Sequence, residues 1–320
     1  MTNIDLNRIK QARERIASAV RRPPLERSRG MSIGERDILL KLECLQLTGS
    51  FKIRGATARL TALTEEEKAR GLLTVSAGNH GLAIAHAAEA LGLDATVIVP
   101  TSASRTKVEQ IRRYPVTLIE HGATYNDAEN WARRRERETG ITFIPPYNDP
   151  DVIAGQGTIG LEILEDAPEL DAVLVPIGGG GLIAGVAAAI KETNPRIKVY
   201  GVEPQASPTM IKALEAGEII EIAEEPTIAD GLSGNIEPES ITFPIIQRLV
   251  DDILLVSEEA MARAIATTAR EEHLIIEASA ATGIAALDDD RFNTGRTAVV
   301  VTGRNIAFDL FKRICASSHE

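Results

Sequence analysis

Cysteine is scarce in this 320-residue sequence, which contains only Cys44 and Cys315. The two residues lie far apart and match neither a metal-site spacing nor a disulfide framework, so we expect reduced thiols. No apolar run approaches the ~18 residues that a membrane-spanning helix needs. The first 22 residues carry too many charges for the apolar region of a secretory signal. These shortages predict a soluble cytoplasmic protein.

Net positive charge is also lacking, because 46 acidic residues outnumber 35 basic residues and the formal charge is -11. Nucleic acids and anionic membrane surfaces are bound through clustered positive charge. The one basic run, residues 133–137, is interrupted by Glu136 inside a helical pattern, which is typical of a solvated helix face. We therefore expect neither a nucleic-acid partner nor a membrane partner.

What the chain does contain is an alternation of short β-rich runs with helical patterns. Strands are predicted at residues 73–76, 95–99, 116–120, 142–144, 172–176, 198–202, 253–256 and 297–301. Helical patterns include residues 5–20, 81–91, 105–113, 126–139, 186–193 and 258–271. Alternation of apolar strands with helices is typical of parallel sheets covered on both faces, so we predict an α/β protein with open, parallel-rich sheets.

A proline-rich segment at residues 144–150 interrupts this alternation and predicts a joint between two lobes. We predict a small α/β domain over residues 47–146. A large α/β domain would be built from residues 1–46 plus 147–320. Ligands of open α/β sheets bind beyond the C-terminal ends of the strands, so the cleft between the lobes is the predicted site.

The first candidate motif is TGSFKIRG at residues 48–55, which places Lys52 on the first turn of a predicted helix. The helix dipole and desolvation both disfavour the ammonium form. The pKa of Lys52 is therefore expected to fall toward the range in which a neutral amine attacks a carbonyl. A lone lysine at such a position is usually a surface residue, so this hypothesis depends on the other motifs.

Two further motifs each join a predicted strand to a predicted helix. In SAGNHG, residues 76–81, small residues let backbone amides point at an anion, and Asn79 and His80 add donors. A tight turn capped by Asn79 would give the same pattern. In GGGGL, residues 178–182, the glycines permit close approach of a phosphate to backbone N–H groups, although a flexible connection is the alternative. The spacing is neither that of a P-loop nor that of a dinucleotide fingerprint.

The last motif is TGRN, residues 302–305, which follows the final predicted strand. The Thr302 hydroxyl could bind a ring nitrogen or could cap the last helix. A lysine at a helix start, a phosphate cup and a hydroxyl at another strand end are the parts needed to hold pyridoxal phosphate as a Schiff base.

At this point the chain resembles the serine/threonine dehydratases, which are fold type II pyridoxal-phosphate enzymes with a two-lobed fold like the tryptophan synthase β chain. The three motifs occur in the order found in that family. Their flanks agree as well, including GVEP at residues 201–204 and TIADG at residues 227–231. The resemblance extends from about residue 22 to residue 305.

The resemblance implies a role for each motif residue. Lys52 would form the Schiff base, Phe51 would lie against the cofactor, Asn79 would bind the ring hydroxyl, and Thr302 the pyridine nitrogen. The phosphate would be held by Gly178, Gly179, Gly180, Gly181 and Leu182. The substrate carboxylate would be bound by the loop that contains Ser76, Ala77, Asn79 and His80.

The implied activity is that of a dehydratase, or ammonia-lyase, acting on L-threonine or L-serine. Lys52 would take the Cα proton, the β-hydroxyl would leave as water, and the products would be a 2-oxo acid and ammonia. The resemblance also implies a homodimer.

Three positions depart from the family pattern. Ala77 replaces the serine of members that also racemise serine, so racemisation is not expected. The resemblance implies a divalent-cation site that pairs Glu203 with an aspartate, and Thr209 stands at the aspartate position, so we predict weak or no Mg or Ca binding there and assign no metal ligand. Arg304 replaces a glycine and could bind an extra substrate carboxyl group or point to solvent.

Other functions stay open from the sequence. The Gly-Arg-Asn ending resembles dehydratases of hydroxyectoine breakdown, so a hydroxyectoine-derived, hydroxyaspartate or phenylserine type of substrate is an alternative. A β-replacement enzyme such as a cysteine synthase would share the fold and the lysine. A non-catalytic phosphate or nucleotide binder that uses the glycine loop alone is the alternative of another class.

Overall fold

The computed structural model describes residues 4–223 and 225–317. Within these ranges the strands are β1 Leu25–Arg27, β2 Arg36–Lys41, β3 Leu72–Val75, β4 Ala95–Val99, β5 Thr117–Glu120, β6 Thr142–Phe143, β7 Ala172–Pro176, β8 Lys198–Pro204, β9 Asp252–Val256 and β10 Gly295–Val300. The helices are α1 Leu6–Ile16, α2 Lys52–Thr61, α3 Glu65–Ala69, α4 Asn79–Leu91, α5 Arg105–Ile111, α6 Tyr125–Thr139, α7 Pro150–Asp166, α8 Gly181–Thr193, α9 Thr209–Ala216, α10 Thr242–Leu249, α11 Glu258–Glu271, α12 Ala278–Ala285 and α13 Phe308–Ser317. Short 3-10 turns occur at Glu43–Leu45, Ala286–Asp288 and Asp290–Phe292.

The strands form two sheets, which confirms the predicted α/β class with parallel-rich sheets. The larger sheet has the order β1-β2-β10-β7-β8-β9, and the smaller has the order β5-β4-β3-β6. All pairs are parallel except the edge pair β1 and β2, in which Leu25 lies opposite Lys41. The sequence pattern did not reveal this antiparallel edge, because β1 is only three residues long and largely exposed.

The larger sheet is covered on both faces, as parallel sheets require. Successive residues of its central strand β10 belong to different apolar clusters. Val300 packs with α7 and α8 residues such as Ile159, whereas Val299 packs with α11 and α12 residues such as Ile265. Because side chains alternate along a strand, the two clusters lie on opposite faces of the sheet.

Helix α7 is the main element that the sequence pattern missed. It has 17 residues and includes Gly155, Gly157 and Gly160, which lower its intrinsic helix propensity. Asp149 caps its start by accepting from the N–H groups of Asp151 and Val152. Burial of nearly its whole length stabilises a helix that local preference alone would not.

The smaller sheet uses strands between residues 72 and 143, within the small domain predicted from the sequence. Helix α2 packs against both α4 and α7 and so touches both parts of the fold. The boundaries at residues 47 and 146 stay a prediction. No helix within the described ranges is long and apolar enough to cross a membrane.

A buried cluster of charges holds α2 against the larger part of the fold. The Arg54 guanidinium donates to both oxygens of Glu43 at 2.8 Å and to both oxygens of Glu162 at 2.7 Å. Lys41 donates to Glu162 at 2.6 Å, and Thr158 accepts from Arg54 at 3.0 Å. Two cations and two carboxylates thus balance each other away from water. Arg54 lies two residues after Lys52, so this cluster fixes the start of α2.

We expect Arg54→Met to lower the free energy of unfolding by about 3–5 kcal/mol, because two buried carboxylates lose their shared partner. Chemical denaturation of the purified variant measures this change. The control is Arg112→Met, which breaks exposed pairs with Glu109 and Glu120 and should cost at most about 1 kcal/mol. Equal losses in the two variants would show that the buried cluster does not hold α2.

Candidate active site

A cavity of about 790 Å³ opens between the two sheets. Its lining includes residues that follow the C-terminal ends of parallel strands from both sheets. Ser76 follows β3, Pro100 follows β4, and Gly178 and Thr302 lie shortly after β7 and β10. Open α/β sheets present their ligand sites at this edge, so the cavity is the candidate active site.

Lys52 is the first residue of α2 and lines this cavity. The turn before it is tied to the end of β10, because the Phe51 N–H donates to the Thr302 carbonyl at 3.0 Å. The Lys52 Nζ donates to the Pro146 carbonyl at 2.9 Å. Burial lowers the pKa of Lys52 from its usual 10.5 to about 8, and the nearby Glu277 charge opposes this shift. About one tenth of the amine is therefore neutral at about pH 7, far more than for an ordinary lysine.

The loop between β3 and α4 contributes backbone donors to the cavity. Ser76 accepts from the Gly78 N–H at 3.1 Å, which closes a tight turn before α4 begins at Asn79. The first N–H groups of α4 have no intrahelical acceptor, so they are available to an anion. Ala77 also lines the cavity and brings no polar side-chain atom to it.

His80 is buried, and its ring is held neutral because burial and the Lys52 charge lower its pKa to about 3. Its Nε2 lies 3.3 Å from the Ile144 carbonyl. A carbonyl can only accept, so Nε2 carries the proton and Nδ1 has only a lone pair. The sequence predicted that the His80 side chain would donate to an anion, but its N–H donates to the backbone of the protein instead. Any role of His80 in binding a carboxylate falls to its backbone N–H.

The glycine loop lies where β7 turns into α8, and its glycines are sterically required. A Cβ on Gly179 would lie 2.4 Å from ring carbons of Tyr147. The Tyr147 ring is held in turn, because its hydroxyl accepts from the Glu237 N–H at 2.9 Å. Helix α8 begins at Gly181, so its first N–H groups also lack intrahelical acceptors. The loop therefore has the form of an anion cradle.

All but one of the residues assigned from the motifs line the cavity. They are Phe51, Lys52, Ser76, Ala77, Asn79, His80, Gly178, Gly179, Gly180, Gly181, Leu182 and Thr302. Arg304 is the exception. Its side chain is exposed, and its N–H donates to the Gly49 carbonyl at 2.9 Å. The sequence left open whether Arg304 would bind the substrate or point to solvent, and in the structure it points to solvent.

Glu203 lies at the end of β8 and serves as a helix cap. Its carboxylate accepts from the N–H groups of Met210 and Ile211 at 2.8 and 3.0 Å and from the Thr209 hydroxyl at 3.4 Å. Burial raises its pKa to about 7. Within residues 4–223 and 225–317, no group of three or more His, Cys, Asp or Glu side chains is arranged to hold a metal ion. The expected absence of a metal stays a prediction.

Sequence reasoning missed several cavity residues, chiefly Glu277, Tyr147, Gln156 and Asn305. Asn305 belongs to the TGRN motif but received no role. Glu277 is an isolated acid between the apolar pair 275–276 and the alanine-rich start of α12, a placement that could have marked it. Gln156 lies inside the missed helix α7, and Tyr147 lies in the segment that precedes it, so no pattern pointed to them.

Comparison with known proteins gives consistent matches over most of the chain. A family model described as "Pyridoxal-phosphate dependent enzyme" matches residues 16–303. An L-threonine ammonia-lyase of Thermotoga maritima is 41% identical over 313 residues, covering 97% of this chain and 78% of that protein.

Two solved structures are also similar. A threonine deaminase from T.th. has a TM-score of 0.88 and 40% identity, over 95% of this chain and 99% of that one. Maize serine racemase has a TM-score of 0.91 and 35% identity, over 98% of this chain and 97% of that one.

We expect Gly179→Ala to raise the dissociation constant for pyridoxal phosphate about fivefold to 150-fold. The added methyl group must shift the loop that would hold the phosphate away from Tyr147, and such overpacking costs about 1–3 kcal/mol. Equilibrium titration of the apoprotein by absorbance measures this constant. The control is the double variant Gly179→Ala with Tyr147→Ala, in which the clashing ring is gone. The dissociation constant of this double variant should be close to that of Tyr147→Ala alone. If the effects of the two single substitutions on binding free energy added up fully in the double variant, the steric explanation would be wrong.

Proposed function

The chain belongs to the family of pyridoxal-phosphate dependent enzymes, and on that premise we propose that it is an ammonia-lyase acting on L-threonine or L-serine. It would remove water from the β-hydroxy amino acid and yield a 2-oxo acid and ammonia. The observation that carries the proposal is Lys52 itself. A lysine of lowered pKa shares one cavity with an anion cradle and with the helix-start donors of α4.

The residues present fit this cofactor. The cradle at residues 178–182 suits its phosphate, and the Lys52 amine suits its aldehyde. Two buried polar atoms of the cavity lining, His80 Nδ1 and Gln156 Oε1, have no partner within the described protein. Buried polar atoms are rarely left unsatisfied, so they indicate a site built for a polar ligand. Thr302 would hold the pyridine nitrogen.

When bound, pyridoxal phosphate supplies an electron sink that acidifies the Cα–H bond of the attached amino acid. The residues of this chain supply the proton transfers. Lys52, as a neutral amine, takes the Cα proton and then delivers it to the departing β-hydroxyl, which leaves as water. The N–H groups at the start of α4 hold the substrate carboxylate. The released enamine adds water and yields the 2-oxo acid and ammonia.

Serine racemases are among the similar proteins, so racemisation is the second candidate activity. Inverting Cα requires a group that donates a proton from the side opposite to the base. The methyl group of Ala77 cannot donate or accept a proton, and the neutral His80 ring has its only N–H engaged as a donor to the Ile144 carbonyl. These features favour elimination.

The charges of the cavity bear on the alternative substrates. The lining carboxylates outnumber the lining cations Lys52 and Lys107, and Arg304 lies outside the cavity; the carboxylates are Glu129, Glu221, Asp230, Glu237 and Glu277. A second substrate carboxyl group would meet this negative potential, so hydroxyaspartate is disfavoured. Uncharged β-hydroxy amino acids meet no such barrier, which supports L-threonine or L-serine over an acidic substrate.

The proposal includes a homodimer in the cytoplasm. Cys44 and Cys315 are free, as expected for a reducing compartment. The exposed apolar side chains Ile33 and Phe308 offer surface for contact with a second copy. No nucleic-acid partner is proposed, in keeping with the net charge of -11.

The decisive experiment measures ammonia and 2-oxo acid release with and without pyridoxal phosphate on L-threonine, L-serine, hydroxyaspartate and phenylserine. We expect activity on the first two, and Lys52→Ala should lower it by about 100-fold to 10,000-fold or more. The control is Lys212→Ala at an exposed site, which should change nothing.

Three other results would contradict the proposal, and each indicates a different function. Release of D-serine, resolved by chiral chromatography, would indicate a racemase. Activity confined to other substrates would indicate a specialised dehydratase. A protein that binds phosphate but gains no cofactor absorbance band would be a non-catalytic binder.

The lowered pKa of Lys52 predicts a pH profile for cofactor capture by the apoenzyme. With a pKa of about 8, the neutral fraction rises from about one tenth at about pH 7 to about nine tenths at about pH 9. The capture rate should rise about tenfold over this range and then level off. An ordinary lysine would give a rise of about 100-fold without levelling. Binding of pyridoxine phosphate, which lacks the aldehyde, is the control for other titrating groups.

A further inference from the structure

The Asn79 side chain is held at both of its polar atoms by other side chains. Its Nδ2 donates to Glu277 Oε1 at 2.7 Å, and its Oδ1 accepts from Asn305 Nδ2 at 2.7 Å. A carboxylate can only accept and an amide nitrogen can only donate. The orientation of the Asn79 amide is therefore determined by its partners. One Asn79 N–H remains for a ligand in the cavity.

Glu277 and Asn305 are also bonded to each other, so the three residues form a closed ring. Glu277 Oε2 accepts from the backbone N–H of Asn305 at 3.1 Å. The second Asn305 donor is used by the Thr48 carbonyl at 2.9 Å. The ring joins the start of α4, the residue before α12 and the segment after β10, and Thr48 ties it to the turn before Lys52.

Gly303 makes room for this ring. Its carbonyl accepts from the Glu277 N–H at 3.0 Å, and a Cβ on it would lie 2.4 Å from Glu277 Oε1. Any side chain at residue 303 would push the carboxylate away from Asn79. A glycine is therefore required at this position of the TGRN motif, which the motif alone did not show.

Glu277 also belongs to the charge balance of the cavity. Its charge acts on Lys52 and favours the ammonium form of that lysine. Burial and the Asp230 charge raise the pKa of Glu277 to about 7, while its bond from Asn79 and the Lys107 charge lower it. Each of its two oxygens accepts from an N–H group of the ring, which favours the carboxylate form against the effect of desolvation.

We propose that Glu277 is a positioning residue, which holds the Asn79 amide in the single orientation that presents its free N–H to the bound cofactor. The inference rests on the proposed function, because it requires that pyridoxal phosphate occupies the cavity. In orienting the cofactor Glu277 acts through Asn79 and takes no proton from the substrate, whereas its charge acts separately on Lys52. Asn305 supports the same orientation from the oxygen side of the amide.

The test begins with Glu277→Gln, which keeps the shape of the side chain but loses one acceptor. Its new NH2 group must face either Asn79 Nδ2 or the Asn305 N–H, and both are donors. We expect the dissociation constant for pyridoxal phosphate to rise about tenfold or more and the absorbance maximum of the bound cofactor to shift. The control is Glu271→Gln at an exposed position, which should match the wild-type protein.

A double-mutant cycle separates positioning from other roles. If Glu277 positions the cofactor through Asn79, adding Glu277→Gln to Asn79→Ala should not change the dissociation constant for pyridoxine phosphate any further. This ligand lacks the aldehyde, so its binding does not report the effect of the Glu277 charge on Schiff-base formation by Lys52. A second variant, Asn305→Asp, keeps the test valid if Glu277→Gln does not fold. It turns the donor facing Asn79 Oδ1 into an acceptor, so it should weaken cofactor binding in the same direction.

The outcomes are distinct. Equal effects of Glu277→Gln with and without Asn79 would overturn the inference, as would cofactor affinity and absorbance unchanged from wild type. These readouts need no turnover, so the inference can fail while the proposed ammonia-lyase function stands. Wild-type protein that captures no pyridoxal phosphate would instead remove the proposed function and, with it, this inference.

Discussion

The buried ion cluster around Arg54 is the constraint on which the position of the reactive lysine depends. Its two carboxylates come from the turn after β2 and from α7, so it fastens the first turn of α2 to two separate elements. Burying four charges is tolerable only because each has a close partner of opposite sign. With Arg54 held in this way, Lys52 is directed into the cavity rather than into solvent.

The cavity combines two electrostatic demands that oppose each other. A phosphate needs backbone donors and helix starts, whereas a lysine that acts as a base must be desolvated enough to lose its proton. The fold separates them, with the anion cradle after β7 of the larger sheet and Lys52 at the start of α2. Glu277 moderates the second demand, because its charge limits how far the pKa of Lys52 falls.

Substrate selection depends on three side chains that offer the substrate neither a proton donor nor a charge. Ala77 brings no proton donor, the His80 Nε2–H donates to the Ile144 carbonyl, and Arg304 stays outside the cavity. The cavity then offers the substrate backbone N–H groups at helix starts, the Lys52 amine, and more carboxylates than lysines. Such a lining suits a small neutral amino acid that is held by its carboxylate and its amine.

The sequence alone was sufficient for the class of fold and for the residues that begin the helices at the cavity. Lys52, the SAGNHG loop, the glycine loop and Thr302 follow strands or open helices, and such local geometry is dictated by a few adjacent residues. Helix α7, the Glu277–Asn79–Asn305 ring and the exposure of Arg304 were decided by tertiary structure. Asn79 and Glu277 stand 198 residues apart, and their contact, like the burial that lowers the pKa of Lys52, arises only when distant elements pack together.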